Sequence, residues 1–527
     1  MKMRHIESER TVCIYDTQEL SWTDRKNIEL PSDLERLIIG DGITHMDWGF
    51  LRNIRIGHLI LPHTLETISF RISSFDHGST YIDMDPNNPY FTSEDGVLFD
   101  KERKVLIRFP EGRRMDVYTI PEGVVRIGDD AFSYCRVLED IVFPRSLTAI
   151  GDRAFYRCTF LQNAIIPEGV DTVGHSAFAE CLNIRRVNIP SSLKRIPDLM
   201  FMGCNLLSNV RISEGVRSIG SLAFDGEHVF LEELRIPSTV RELGTNPFGN
   251  SDTLRIHIDE DNRWFKSDGT VVYDITGEVL VRVMPSWDKD TFEIPESVRE
   301  IGPFAFEYCE SLEHIHIPDT VKVIGRGAFM DCDHLSKVRL PEGLTRIEDH
   351  TFHCCSSLEG IDIPTSIEYI GKHAFMCSGL RSLNLDAPIA SIESGTFNDC
   401  GQLESMTLPN TLKRIDMMAF GSCRRLKRLH IPDGVTSIGM EAFTCCDSLE
   451  HVHLPEELKE MYLTAFIGCK SLRSVEFPSG MSDPFLEPFY LTSSDKKTIR
   501  DPDSSKDRPG LFSKIEKNDG KWEMRYE

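Results

Sequence analysis

The sequence predicts a repeat solenoid, mainly β, in which each unit is one turn of a coil and successive turns stack through parallel strands. Three observations lead there. The string IPESVREIGPFAFEYCESLEHIHIP at residues 294–318 starts again as IPDTVKVIGRGAFMDCDHLSKVRLP, and the pattern returns every 23 residues. Each copy closes on an apolar alternation, LxxIxIP, which is the period of a strand with one face buried. One Phe recurs in register: Phe132, Phe155, Phe178, Phe201, Phe224 and Phe248, then Phe306, Phe329, Phe352, Phe375, Phe397, Phe420, Phe443 and Phe466.

A fixed period between about 20 and 29 residues with a short apolar alternation is the signature of a leucine-rich-repeat-like array. Each unit of such an array contacts only its neighbours, so 527 residues predict one elongated body in place of several globular domains. Residues 1–27 carry no repeat and are read as an N-terminal cap. Residues 28–80 hold two degenerate repeats. Residues 81–110 form an inserted β-hairpin module around Asp95-Gly96. Residues 111–257 hold six repeats, 258–285 a second copy of the hairpin module, and 286–480 eight more repeats. Residues 481–527 are a charged tail, with a final hairpin expected at Asn518-Asp519-Gly520.

Hydrophobic residues make up 40% of the chain, enough for a continuous core if the repeats stack. The net charge of −24 argues against nucleic acid and against anionic membrane surfaces. No stretch approaches the roughly 18 apolar residues of a membrane span, so no membrane insertion is expected. The first 22 residues hold no apolar run with a small-residue cleavage site. The expected location is therefore the cytoplasm, with the cell surface or secretion as the alternative.

Eleven of the 15 cysteines stand three residues after the Phe: Cys135, Cys158, Cys181, Cys204, Cys309, Cys332, Cys355, Cys400, Cys423, Cys446 and Cys469. Neighbouring rungs of stacked coils lie about 4.8 Å apart, wider than the roughly 3.8 Å between the Cβ atoms of a disulfide. A ladder of free buried thiols is expected, which suits a reducing compartment. The Gly before xxAF (Gly128, Gly151, Gly302, Gly325) is replaced by Pro197 in one copy, so that place needs no positive φ. A corner opening one short helical turn, with Gly or Asp as N-cap, is expected there.

The string IPxxVxxIGxxAFxxCxxLxxIxIP, together with the inserted SxDGVL module, resembles the BspA-like leucine-rich repeats, a class found in bacterial and some protist surface proteins. The resemblance covers residues 30–480. It implies a curved array with a parallel sheet on the concave side and short helical or 3-10 turns on the other, a non-catalytic role, and the binding of proteins. The chain contains no GxSxG, HExxH, Walker A, strand-linked GxGxxG or CxxC string, so neither an enzyme nor a cofactor is expected.

The outward places of the LxxIxI strands are the candidate partner-binding residues: Arg186, Asn188, Arg211, Arg235, His314, His316, Lys337, Arg339, Arg428, His430, His451 and His453. Against Asp140, Glu233, Asp362 and Glu476 they make a neutral-to-basic face on an acidic chain. That separation favours an acidic protein partner for a protein-binding scaffold, which is expected to be a monomer; the plainer reading is a solvated sheet face. The histidines of this face at His314 and His316, and at His430, His451 and His453, have strand spacing that a metal could use, though solvated polar residues are the plainer account. A second cluster joins His350, His353, Cys354 and Cys355 to His373 and Cys377 one coil on, with His350 and His373, and Cys354 and Cys377, at equal repeat places. Neighbouring coils then stack them, which offers metal or redox chemistry as an alternative function; ordinary surface His beside core Cys is the plainer reading. In the first insert Asp83, Asp85, Asn87 and Glu94 have calcium-loop spacing, but Asn88 stands where Gly is required, and a turn is expected.

Overall fold

The structure, a computed structural model, describes residues 2–6, 10–15, 17–21, 23–24, 30–70, 78–226, 230–476, 514–518 and 521–525. The chain divides into two compact units, Met1–Gly269 and Thr270–Glu527. Apart from its two strands, the expected charged tail lies outside the described residues.

Each unit is a coil of parallel strands. The LxxIxI segments pair in register one repeat apart, Asn163 opposite Arg186 and Arg186 opposite Asn209 in the first unit, Thr291 opposite His314 and His314 opposite Lys337 in the second. A second ladder runs through VxxI, whose strands are two residues long, with Arg126 opposite Ala149 and Ala149 opposite Thr172. The alternation buries Val187 and Ile189 while Arg186 stays exposed.

The Ala-Phe segment differs from expectation. Among the described corners that carry the repeat Phe or its counterpart, only Trp48–Leu51 and Leu463–Phe466 form 3-10 turns. Elsewhere left-handed residues flank the Phe and the residue before it, Asp130 (φ 56°) and Tyr134 (φ 67°) around Ala131-Phe132, His350 (φ 58°) and Cys354 (φ 57°) around Thr351-Phe352. This alternation points every second N–H along the stacking direction. Phe132 donates to the Ala154 carbonyl, Phe155 to Ala177 and Phe352 to Ala374, each at 2.7 Å. A helical turn would keep those bonds within one coil, whereas the close spacing of the coils puts a partner carbonyl in reach, and buried N–H groups take it. The glycines lie outside the left-handed region as expected, but their role is close approach: a Cβ on Gly151 would stand 2.2 Å from Asp129 Oδ1. That carboxylate accepts the Asp152 N–H of the next coil at 3.2 Å, and Asp152 Oδ1 accepts from His175 N–H at 2.8 Å. The cap expected within one coil therefore acts between coils.

Two columns fill the core. The Phe rings stack face to face at 4.9 Å for Phe132–Phe155 and Phe155–Phe178, and at 5.1–5.5 Å from Phe306 to Phe466. The eleven ladder cysteines are free and buried. Nine of these thiols have a purpose beyond filling space, since each donates to the carbonyl of a Phe one coil back, as Cys158 does to Phe132 and Cys332 to Phe306, both at 3.0 Å; Cys309, at the start of its column, reaches the Val283 carbonyl at 3.7 Å. Where this place holds Ser378, its hydroxyl meets Cys400 Sγ at 3.3 Å, so the small buried hydrogen-bonding group is kept. Burial pushes the thiols of Cys204, Cys309 and Cys400 up to about 12.

Each insert supplies the first rung of a ladder. Val97–Asp100 pairs antiparallel with Val105–Arg108, and Leu106 then lies parallel to Ile127; in the second unit Val271–Asp274, Val279–Val283 and Ile301 repeat the plan. The buried Asn88 side chain donates to the Pro62, His63 and Leu65 carbonyls and accepts from Tyr90 and Phe91 N–H. Asn262 does the same with Pro237, Val240, Trp264 and Phe265. Asn88 is thus the pivot of a turn, while Asp83 faces His58 and Glu94 pairs with Arg103. Arg108 and Arg282, 0% and 1% exposed, donate to the Asp130 and Phe304 carbonyls at the start of a Phe column.

Candidate functional site

Because consecutive strand residues point to opposite faces, the buried aliphatics fix where every outward side chain stands. Arg186, Arg211, Arg235, His314, His316, Lys337, Arg339, Arg428, His430, His451 and His453 are exposed, and Asn188 is half-buried. The register brings Arg186 opposite Asn209 and Asn188 opposite Arg211 in the first unit. In the second it brings His314 opposite Lys337, Arg339 opposite Asp362, and Ser405 opposite Arg428.

The charge on this face is partly cancelled. Arg235 lies 3.7 Å from Glu233, Arg339 3.3 Å from Asp319, and His453 3.2 Å from Glu476. Such exposed pairs contribute about 0–1 kcal/mol each. Among the described residues, Arg186, Arg211, Lys337 and Arg428 have no acidic side chain in ion-pair range. The sheet-face histidines form no group with metal-ligand spacing among the described residues.

Beside Arg186 lie exposed aliphatics that the basic reading of the face passed over. Val117, Val142 and Ile165 occupy outward places of Val117–Thr119, Asp140–Val142 and Asn163–Ile165, at 51%, 47% and 53% exposure. Ile165 lies opposite Asn188, which lies opposite Arg211. The signal was present as an apolar residue in an outward slot, in LEDIVFP and LQNAIIP.

On the turn side, the second cluster is stacked as its repeat places require. The His350 and His373 rings lie 5.1 Å apart, and His350 lies 5.5 Å from His353. Burial lowers the pKa of His350 to about 4, with the neighbouring His373 adding to it. Burial raises that of Cys354 to about 12, and its thiol meets that of Cys377. The atoms that come within metal-binding distance of one another belong to a different set, Asp331, His353 and Cys354. His353 and Cys354 are common to both, and Asp331 is the residue the cluster lacked. Asp331 occupies the repeat place of Cys354 and Cys377 one coil earlier, which reading down that column would have found.

The BspA type leucine rich repeat region matches residues 125–255, 288–404 and 390–507, more than half of the chain. The chain belongs to this family. No curated protein sequence matches it. Among solved structures, the pneumococcal vaccine antigen PcpA is 21% identical, covering 67% of this chain and 83% of its own with a TM-score of 0.42. A leucine rich cell surface protein from Faecalibacterium prausnitzii is 22% identical over 78% of this chain and 97% of its own, TM-score 0.39. A leucine-rich repeat protein from Eubacterium ventriosum is 16% identical over 75% and 95%, TM-score 0.44.

In this BspA-type chain the outward sheet face presents exposed aliphatics, amides and arginines on register-locked strands. No helix among the described residues is long and apolar enough to cross a membrane.

Proposed function

We propose that this BspA-type protein is a non-enzymatic scaffold that binds another protein through the outward face of its strands in the first unit. The observation that carries this reading is the run of exposed aliphatics, Val117, Val142 and Ile165, next to Arg186 and Arg211. Solvated surfaces tolerate single exposed aliphatics, but three on successive strands beside unneutralised arginines suit an apolar contact ringed by charge. The partner is a protein carrying acidic residues around an apolar centre, and its binding weakens as salt rises.

The family resemblance favours the cell surface over the cytoplasm. The ladder thiols do not argue for a reducing compartment, because burial and hydrogen bonding protect them wherever the protein resides. Fractionation of native cells checks the location.

Binding is tested by recovering proteins on the immobilised chain from its native cells and their surroundings, with Arg186→Glu/Arg211→Glu and Ile165→Asp as variants. A protein retained by the parent is expected to fall about tenfold or more with either variant, since a desolvated anchor or charge contributes about 2 kcal/mol. Arg326→Glu, on the turn side, is expected to leave recovery unchanged. Equal recovery by all variants contradicts the assignment.

A further inference from the structure

We propose that Asp331, His353 and Cys354, on the turn side of the second unit, form a binding site for a borderline-soft divalent cation of zinc type. The site goes beyond the sheet face and shares no residue with it. Asp331 and Cys354 occupy the same place on adjoining coils, two residues after Phe329 and Phe352, and both are left-handed, at φ 56° and 57°. Equal backbone conformation at equal repeat places sends both side chains out in the same direction. The Asp331 N–H donates to the His353 carbonyl at 2.9 Å, which locks the two coils together at this point. His353 directly precedes Cys354, so one coil presents nitrogen and sulfur while its neighbour presents oxygen.

One ligand atom from each of the three lies within 4.8 Å of the others, and all three residues are half-buried. Zinc holds S, N and O donors at about 2.0–2.3 Å, which places them about 3.5 Å apart, so closure needs only side-chain rotation of roughly an ångström. A thiolate and a carboxylate neutralise a dication, and the neutral imidazole completes a mixed donor set that suits zinc better than calcium or magnesium. The Cys354 thiol and the Asp331 carboxylate stand within 4.8 Å of each other. Binding would replace the thiol proton by the cation and release that proton to water. The fourth tetrahedral place is left for water.

An independent observation points to a ligand here. Nδ1 of His353 is out of contact with water and has no hydrogen-bond partner, and the same holds for Nδ1 of His350 and His373 beside it. Buried imidazole nitrogens ordinarily find a donor, an acceptor or a metal. Three unsatisfied ones in a row, next to a carboxylate and two thiols, occur nowhere else among the described residues.

The test is titration of the reduced, full-length chain with Co(II) and Zn(II), followed by absorbance and by metal analysis after dialysis. A single equivalent is expected, with a thiolate-to-cobalt charge-transfer band. Cys354→Ser abolishes the band, and His353→Gln and Asp331→Asn each weaken binding by about tenfold or more. His373→Gln and Cys377→Ser leave the band in place. Circular dichroism of each variant establishes that the coil is intact, and Asp331→Asn keeps both shape and backbone bond. Retention of less than about a tenth of an equivalent by the parent overturns the proposal, because a formed site of this donor set holds zinc tightly at neutral pH. A charge-transfer band that survives Cys354→Ser, or that is lost with His373→Gln or Cys377→Ser while Asp331→Asn retains it, also overturns it.

Discussion

Phe329→Ala is expected to destabilise the second unit by about 3–5 kcal/mol, the cost of deleting a fully buried aromatic ring. Its ring stacks on Phe306 at 5.1 Å and on Phe352 at 5.4 Å. The void cannot close by local collapse, because the backbone around it is held to the next coil. Phe329 N–H donates to the Thr351 carbonyl at 2.9 Å, and the Phe329 carbonyl accepts from the Cys355 thiol at 3.1 Å. Loss of the ring therefore leaves two facing rings without a partner. Urea unfolding of the parent and the variant measures the effect. Because arrays lose cooperativity, the fall in midpoint is the safer reading than an extrapolated free energy. An unchanged midpoint contradicts the inward column.

Arg108→Met is expected to cost the first unit a similar amount, about 3–5 kcal/mol, because it strands a buried carboxylate. Arg108 is 0% exposed, pairs with Glu111, and donates to the Asp130 carbonyl. Glu111 Oε1 also accepts from Trp48 Nε1 at 3.1 Å, which alone does not neutralise it. The double variant Arg108→Met/Glu111→Gln removes the stranded charge and is expected to recover part of the loss, so the two changes are not additive. Amide exchange across residues 97–132 reports the site where the first Phe column begins. Equal protection in the parent and Arg108→Met contradicts the role given to this arginine.

The repeat architecture was legible because its cause is periodic. A strand with Val187 and Ile189 inward exposes Arg186 whatever lies around it, and one copy of the pattern predicts the rest. The turns were less legible, since their geometry comes from bonds between coils. Ala154 and Phe132 are 22 residues apart, and no local propensity encodes a left-handed Asp130 whose own N–H, like that of Phe132, donates to the next coil. Asn88 and Asn262 were hidden for a related reason. A polar residue in a hairpin insert reads as a turn, and only the carbonyls of the preceding coil reveal its buried role. At the candidate face, the outward positions followed from alternation, but pairing of Arg339 with Asp319 depends on a corner residue that strand alternation does not reach. On the turn side, reading along the chain found Cys354 and Cys377. Reading down the column was needed to find Asp331.

The central claim is that each 23-residue unit is one closed turn with its aromatic ring and its thiol inside. Thiol alkylation of the native chain, mapped by mass spectrometry, tests it most directly. Cys445 is exposed, Cys13, Cys354 and Cys377 are half-buried, and the ladder cysteines are enclosed. Rapid modification of Cys445, slower modification of the three half-buried thiols, and protection of Cys158, Cys332 and Cys423 until denaturant is added is the predicted result. Ladder cysteines that react in the folded chain as fast as Cys445 would contradict the coil.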